Sequence, residues 1–352
     1  MAPADGVFRS AVSLANLLAD QPDTEVTLRP IFTFKKVTKK LIDSRVIIKP
    51  KYRFYFRGFK RIFSLVPNSI INRMMIKGRY DVEIGFCVIL PQRAVAFSRN
   101  KDAEHILWVH GYSYRDFYKN DVIDKIMCVS EENTEKMKKA IDNKVPVYTC
   151  LNIMDEKSIQ KMAEESIDLK RDETPLFVSV ARFTKEKGYE RLLEVVNKLV
   201  NGDGYKFQLW LVGDGPLYNQ LCDYVKQNKL EHTVIFTGSQ LNPHKYTSKA
   251  DCFILSSFEE GYSTSCAEAI LLGVPVMTTK VGGANEIIKN AGSGLIMDNS
   301  TEGIYEGMKK VLDDHSLLSK WKEETLKNRV KFYSDVRKKA ILDALNEKPH
   351  KN

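Results

Sequence analysis

From Pro175 onward, short apolar runs alternate with amphipathic ones, and this alternation limits the possible folds more than any other feature of the chain. "LFVSVAR" reads as a buried strand and "YERLLEVVNKLV" as the helix that follows it. "FQLWLVG" and "LYNQLCDYVKQN" repeat the pair. Then come "VIFTG", a short helix near "HKYTSKA", and the strands "CFILSS", "VPVMTT" and "GLIM". Strands alternating with helices predict a parallel sheet wound on both faces, a Rossmann-like α/β domain. The first half is less regular but of the same kind. "AVSLANLLAD" reads as a helix, and "EVTLRPIF", "VEIGFCVI", "HILWVH" and "KIMCVS" read as strands.

A chain of 352 residues is too long for one ordinary core, so two domains are expected. The polar stretch "EESIDLKRDETP" reads as the linker, giving domains over residues 1–168 and 169–330. A Rossmann domain normally opens with a buried strand that feeds a glycine-rich turn. This chain opens on "MAPADGVFRS", already at such a turn, so the N-terminal first strand is expected to be missing, whether lost, left out by a start assigned too late, or replaced by another segment. No apolar run approaches the roughly eighteen residues of a membrane span, and no signal-peptide core opens the chain. The six cysteines are scattered without a C-x-x-C pair, which argues against a zinc site or disulfide framework and fits a reducing cytosol.

Charge is distributed unevenly. Between Lys35 and Tyr80 fourteen Lys or Arg face a single acid, Asp43. That stretch carries +13, against +9 for the whole chain. Its aromatics interleave with the cations in "KPKYRFYFRGFKRIF", a composition suited to an amphipathic surface at a lipid interface. Anionic headgroups attract such segments by about 1 kcal/mol per Lys or Arg. RNA could be held by the same composition.

In an open α/β sheet, ligands bind beyond the carboxyl ends of the strands. Four features fall at such ends: Arg182 to Gly188, the turn Gly213-Asp214-Gly215-Pro216, the stretch Glu260-Gly261-Tyr262-Ser263, and Gly282-Gly283. The loop from Gly261 to Thr264 should aim helix N-terminal amides at an anion, and Arg182 and Lys187 complete a diphosphate site. Carboxylates beside phosphates serve instead as hydroxyl acceptors, with Glu260 on the loop and Glu268 further along the helix. Hydroxyls at both ends of a diphosphate describe a nucleotide sugar. Each residue also has a plainer role. Glu260 and Glu268 suit a solvated loop and helix, and Arg182 and Lys187 a lysine-rich turn. Lys185 competes with Lys187, but the spacing to Gly188 favours Lys187. Gly213 and Gly215 suit a tight turn, Asp214 a helix cap, Glu286 a first helical turn, and His110 a core position at a strand end.

The stretch from Glu260 to Glu268 resembles the E-x7-E signature of the retaining family-4 glycosyltransferases of GT-B fold (glycosyl transferases group 1). "ARFTKEKG", "LVGDGPL" and "ILLGVPVMTTKVGGANEII" are similar to that family's segments in order and spacing, and so are "GRYDVEIGF", "ILWVHGYS", "CVSEENTEKM" and "CLNIMDEKSI" in the first half. The resemblance implies two Rossmann-like domains facing across a cleft, with the last helix, in residues 331–352, returning to the first domain. It implies that Arg182 and Lys187 bind the donor diphosphate, Glu268 the ribose and Glu260 the donor sugar. Gly213, Gly215, Gly261, Tyr262, Ser263 and Thr264 would line the nucleotide site, and His110 would face the sugar. The implied reaction moves a sugar to an acceptor hydroxyl with retention of configuration. No cofactor or metal is expected, in keeping with a sequence that has no D-x-D. A UDP-sugar is favoured over a GDP-sugar as donor, and a glycan or lipid-linked molecule as acceptor, in cell-surface polysaccharide or glycolipid synthesis. Such acceptors favour an anionic membrane surface as the partner of residues 35–80, with the protein cytoplasmic and peripheral on the inner face of the membrane; no nucleic acid is expected. Ala181 departs from the glycine usual before the arginine. The alternatives are a catalytically impaired nucleotide-sugar-binding protein and a GT-B nucleotide-sugar epimerase.

Overall fold

The computed structural model describes residues 6–31, 41–49, 66–86, 89–111, 115, 118 and 121–347. The aromatic part of the basic tract, residues 50–63, and its beginning at residues 35–40 lie outside the described residues. The chain divides into two units. Unit 1 comprises residues 1–153 and 337–352, and unit 2 comprises residues 154–336.

Unit 1 opens with the helix Gly6–Ala19 and holds a two-stranded parallel pair, β1 (Thr27–Leu28) with β2 (Ile47–Ile48). Its main sheet is parallel and runs in chain order: β3 (Val82–Phe86), β4 (Glu104–Val109), β5 (Lys125–Cys128) and β6 (Val147–Thr149). Among the described residues no strand precedes the first helix. β4 and β5 lie almost wholly in the interior, as central parallel strands covered on both faces should.

Unit 2 carries β7 (Leu176–Val180), β8 (Gln208–Val212), β9 (Val234–Gly238), β10 (Cys252–Leu255), β11 (Val276–Thr279) and β12 (Leu295–Met297). All pair in parallel, in the spatial order β9-β8-β7-β10-β11-β12. Numbered within the unit this is 3-2-1-4-5-6, the Rossmann order, whose direction of winding reverses between β7 and β10. The helices follow from amphipathic spacing. In Tyr189–Asn197, Tyr189, Leu192, Leu193, Val195 and Val196 are buried in a core shared with Phe177, Leu209, Leu211 and Ile254 of the sheet. β7 and β10 are neighbours from which the winding runs opposite ways, the switch point beyond whose carboxyl ends doubly wound sheets bind ligands.

The division falls after Ile153, earlier than the acidic stretch suggests. The helix Glu156–Ala163 already packs on unit 2, against the helices His244–Thr247 and Thr264–Leu271. Asn242 donates to the Met162 carbonyl at 2.7 Å and Ser248 to the Ala163 carbonyl at 3.2 Å. The chain passes back to unit 1 within the helix Ser334–Asn346. Ser334 donates through its amide and hydroxyl to Glu156 at 3.0 and 3.2 Å, while Arg337 donates to the Asn152 carbonyl. Further along, the buried Lys125 donates to the Leu345 carbonyl at 2.6 Å and pairs with Glu104 at 2.8 Å.

Candidate functional site

Two loops meet at the reversal point of unit 2. After β7 the chain runs through Arg182 into a 3-10 turn, Lys185–Lys187, closed by Gly188 at φ +66°. This glycine is required twice over. L-residues rarely adopt that φ, and an added Cβ would lie 2.2 Å from the Ser256 carbonyl. The turn is therefore seated directly on the loop that follows β10. The Phe258 amide donates to the Glu186 carbonyl at 2.9 Å, and Ser256 Oγ donates to the Lys187 carbonyl at 3.0 Å.

This seating brings Lys187 Nζ to 2.6 Å from Glu260 Oε1, with side chains 19% and 12% exposed. Ser257 Oγ donates to the same carboxylate oxygen at 2.7 Å. A mostly buried ammonium and carboxylate thus stand together at the switch point, with their charges balanced and their directions fixed. Arg182 is nearby in sequence but 78% exposed, and among the described residues Glu186 is the acid that approaches it, at 4.0 Å. Its guanidinium extends into solvent.

The helix Thr264–Leu271 starts immediately after this loop. Ser263 caps it, its hydroxyl accepting from the Cys266 amide at 3.3 Å, which leaves other first-turn amides directed outward from the helix start. Tyr262 is buried, so it braces the loop. Glu268 lies in the helix itself, its Oε2 3.9 Å from Nδ1 of the buried His244. Gly213 and Gly215 pack against the neighbouring segment: added Cβ atoms would meet the Ala181 carbonyl at 2.0 Å and the Phe183 carbonyl at 2.5 Å. Close backbone approach accounts for both glycines. The Ala181 methyl packs against the hydrophobic core.

His110 belongs to unit 1, one residue beyond β4, at the carboxyl edge of that sheet. Its ring lies 4.8 Å from that of Phe86, and burial pushes its pKa down to about 4. It is neutral at pH 7.

Folding therefore joins Lys187 with Glu260 and sets both beside the capped helix that carries Glu268. Arg182 stands apart in solvent. Ser257 and His244 were missed by sequence reasoning. Ser257 stands three residues before Glu260, a spacing that could have suggested a loop-spanning contact. His244 precedes Glu268 by a strand and two loops, and no local pattern announces it. Among the described residues, no three His, Cys, Asp or Glu side chains gather as a metal site would need.

Residues 161–328 match the model of the family described as glycosyl transferases group 1. The lipopolysaccharide core biosynthesis glycosyltransferase LpsD of Rhizobium meliloti is 26% identical over 96% of this chain and 93% of its own length. An N-acetylgalactosaminyltransferase of Campylobacter jejuni, acting on N-acetylgalactosamine-N,N'-diacetylbacillosaminyl-diphospho-undecaprenol, is 30% identical over 55% of this chain and 51% of its own. Among solved structures, Anabaena HepE in complex with UDP and glucose superposes with a TM-score of 0.70 at 14% identity, over 97% of this chain and 96% of that one. Such likeness shows the fold, here the GT-B fold of two Rossmann-like units. The matched segment begins in the last turn of the helix Glu156–Ala163 and runs to the end of the helix Ser316–Asn328, so it is unit 2 that is similar to the glycosyl transferases group 1.

Proposed function

We propose that the chain is a retaining, metal-independent glycosyltransferase that moves a sugar from a nucleoside-diphosphate sugar, with UDP as the favoured nucleotide, to an acceptor hydroxyl. The observation that carries this is the Lys187–Glu260 pair at 2.6 Å beside the Ser263-capped helix. A cation and helix amides suit a diphosphate, and a fixed carboxylate suits sugar hydroxyls. Glu268 would accept from the ribose. Arg182 would fold inward over the phosphates on binding, from its exposed position.

In the reaction proposed, the acceptor oxygen bonds to the anomeric carbon on the face from which the phosphate oxygen departs. The acceptor proton passes to that leaving phosphate, and the nucleoside diphosphate is released. Lys187, Arg182 and the amides stabilise charge growing on the phosphate, which is where fixed dipoles and cations accelerate a reaction most. The names of the similar proteins support an acceptor in lipopolysaccharide or lipid-linked glycan synthesis. The basic tract at residues 35–80 supports attachment to an anionic membrane surface. Among the described residues no helix is long and apolar enough to cross a membrane.

Thermal unfolding with excess UDP, GDP, ADP or CMP, each in EDTA, tests the donor site. A ligand at one hundred times its Kd adds about 2.7 kcal/mol, so stabilisation by UDP alone is expected. Stabilisation by none of the four would remove the donor assignment. NMR of the anomeric proton of the product then tests retention. Co-sedimentation with vesicles of rising anionic lipid content tests the surface, and binding indifferent to that content would sink it.

A further inference from the structure

In the loop after β10, just before Glu260, three consecutive peptide carbonyls, those of Ser256, Ser257 and Phe258, are held by side chains. The Arg191 guanidinium donates to Ser256 O at 2.6 and 3.0 Å and to Ser257 O at 2.8 Å. Thr279 Oγ1 donates to Ser257 O at 2.6 Å. Asn299 Nδ2 donates to Phe258 O at 2.9 Å and, more weakly, to Lys280 O at 3.4 Å. Asn299 Oδ1 in turn accepts from Arg191 at 2.7 Å. The guanidinium also lies 3.7 Å from the centre of the Phe258 ring.

Arg191 is only 5% exposed, and among the described residues its acceptors are all neutral oxygens. A buried cation without a carboxylate partner is a costly way to stabilise a core. A guanidinium is the one side chain whose rigid fork can grip several carbonyls at once. Asn299 is exposed, so hydrophobic packing does not account for it either. Together the two residues tie the helix after β7 and the loops after β10, β11 and β12 into one frame, and that frame points Glu260 at Lys187.

We infer that Arg191 and Asn299 are positioning residues, which hold the carbonyls of Ser256, Ser257 and Phe258 and thereby fix Glu260 against Lys187 for recognition of the donor's sugar. This rests on the donor reading above. Because Asn299 is exposed, N299A should fold; R191K keeps the charge but loses the fork and serves as the second variant.

The first experiment needs no donor. A double-mutant cycle of K187M and E260Q on the thermal midpoint is run in the native, N299A and R191K backgrounds. A coupling between Lys187 and Glu260 is expected in the native background and should fall by about half or more in both others. A full coupling in both variants would overturn the inference, because a merely structural role lowers every midpoint alike. The second is calorimetry with UDP, UDP-glucose, UDP-galactose and UDP-N-acetylglucosamine. The extra affinity due to the sugar should fall about tenfold in N299A, with UDP itself changed by less than about threefold. Equal losses for UDP and the UDP-sugars would also overturn it. If the native protein binds none of these, the donor reading fails, and the cycle alone decides the positioning role.

Discussion

Lys187 and Glu260 touch, yet the proposed function gives them different work. In the reaction proposed, the ammonium would serve as a point charge for phosphate, and the carboxylate, already steered by Ser257, as an acceptor for sugar hydroxyls. Truncating one member leaves the other charge mostly buried and unpaired, so each single change should cost more than the pair is worth. E260Q is expected to lower turnover by about a hundredfold while UDP affinity stays within severalfold, and K187M to weaken UDP binding about tenfold or more. Titration calorimetry and steady-state rates separate the two; identical profiles would merge their roles. His110 gives a pH signature. Its folded pKa of about 4 lies below the ordinary value of 6.5. Between those values the unfolded chain binds a proton that the folded chain does not, so stability rises with pH there and is fully present above about 6.5. Melting midpoints of native protein should fall between pH 7 and pH 4.5, and by less in H110N. An equal fall in both would remove His110 as a cause.

At the scale of elements, the site depends on how two loops and a helix start are terminated. Gly188 ends the 3-10 turn and admits the Ser256 carbonyl, so G188A adds a strained φ and a backbone clash. A left-handed non-glycine residue costs about 1–3 kcal/mol before the clash is counted, and urea unfolding should show at least that loss. Ser263 is the cap of Thr264–Leu271. S263A should cost about 0.5–2 kcal/mol and weaken UDP binding as well, because the cap orients the amides proposed to face the phosphate. A stability loss with unchanged UDP affinity would mean that the helix start is not part of the phosphate site.

For the whole molecule, the donor site proposed above is confined to unit 2, within the loops after β7 and β10. Hydrogen exchange with saturating UDP should therefore slow at residues 182–188 and 256–266; no slowing there would move the nucleotide elsewhere. The alternation from Pro175 onward makes the Rossmann-like unit readable, because strand and helix periods and their turns are local properties. Glu260, Glu268, Lys187 and Arg182 are readable as candidates because their spacing within loops and a helix is also local. The boundary after Ile153 is not, since Glu156–Ala163 has the composition of any exposed helix and is assigned by the surface it packs against. His244 beside Glu268, and Arg191 and Asn299 against Ser256–Phe258, are equally invisible along the chain. Residue type and order are enough to say which elements form and what chemistry their ends can offer. Which cation meets which carboxylate, and what holds them there, depends on crossovers that bring together loops tens of residues apart, and those contacts exist only once the sheet has closed.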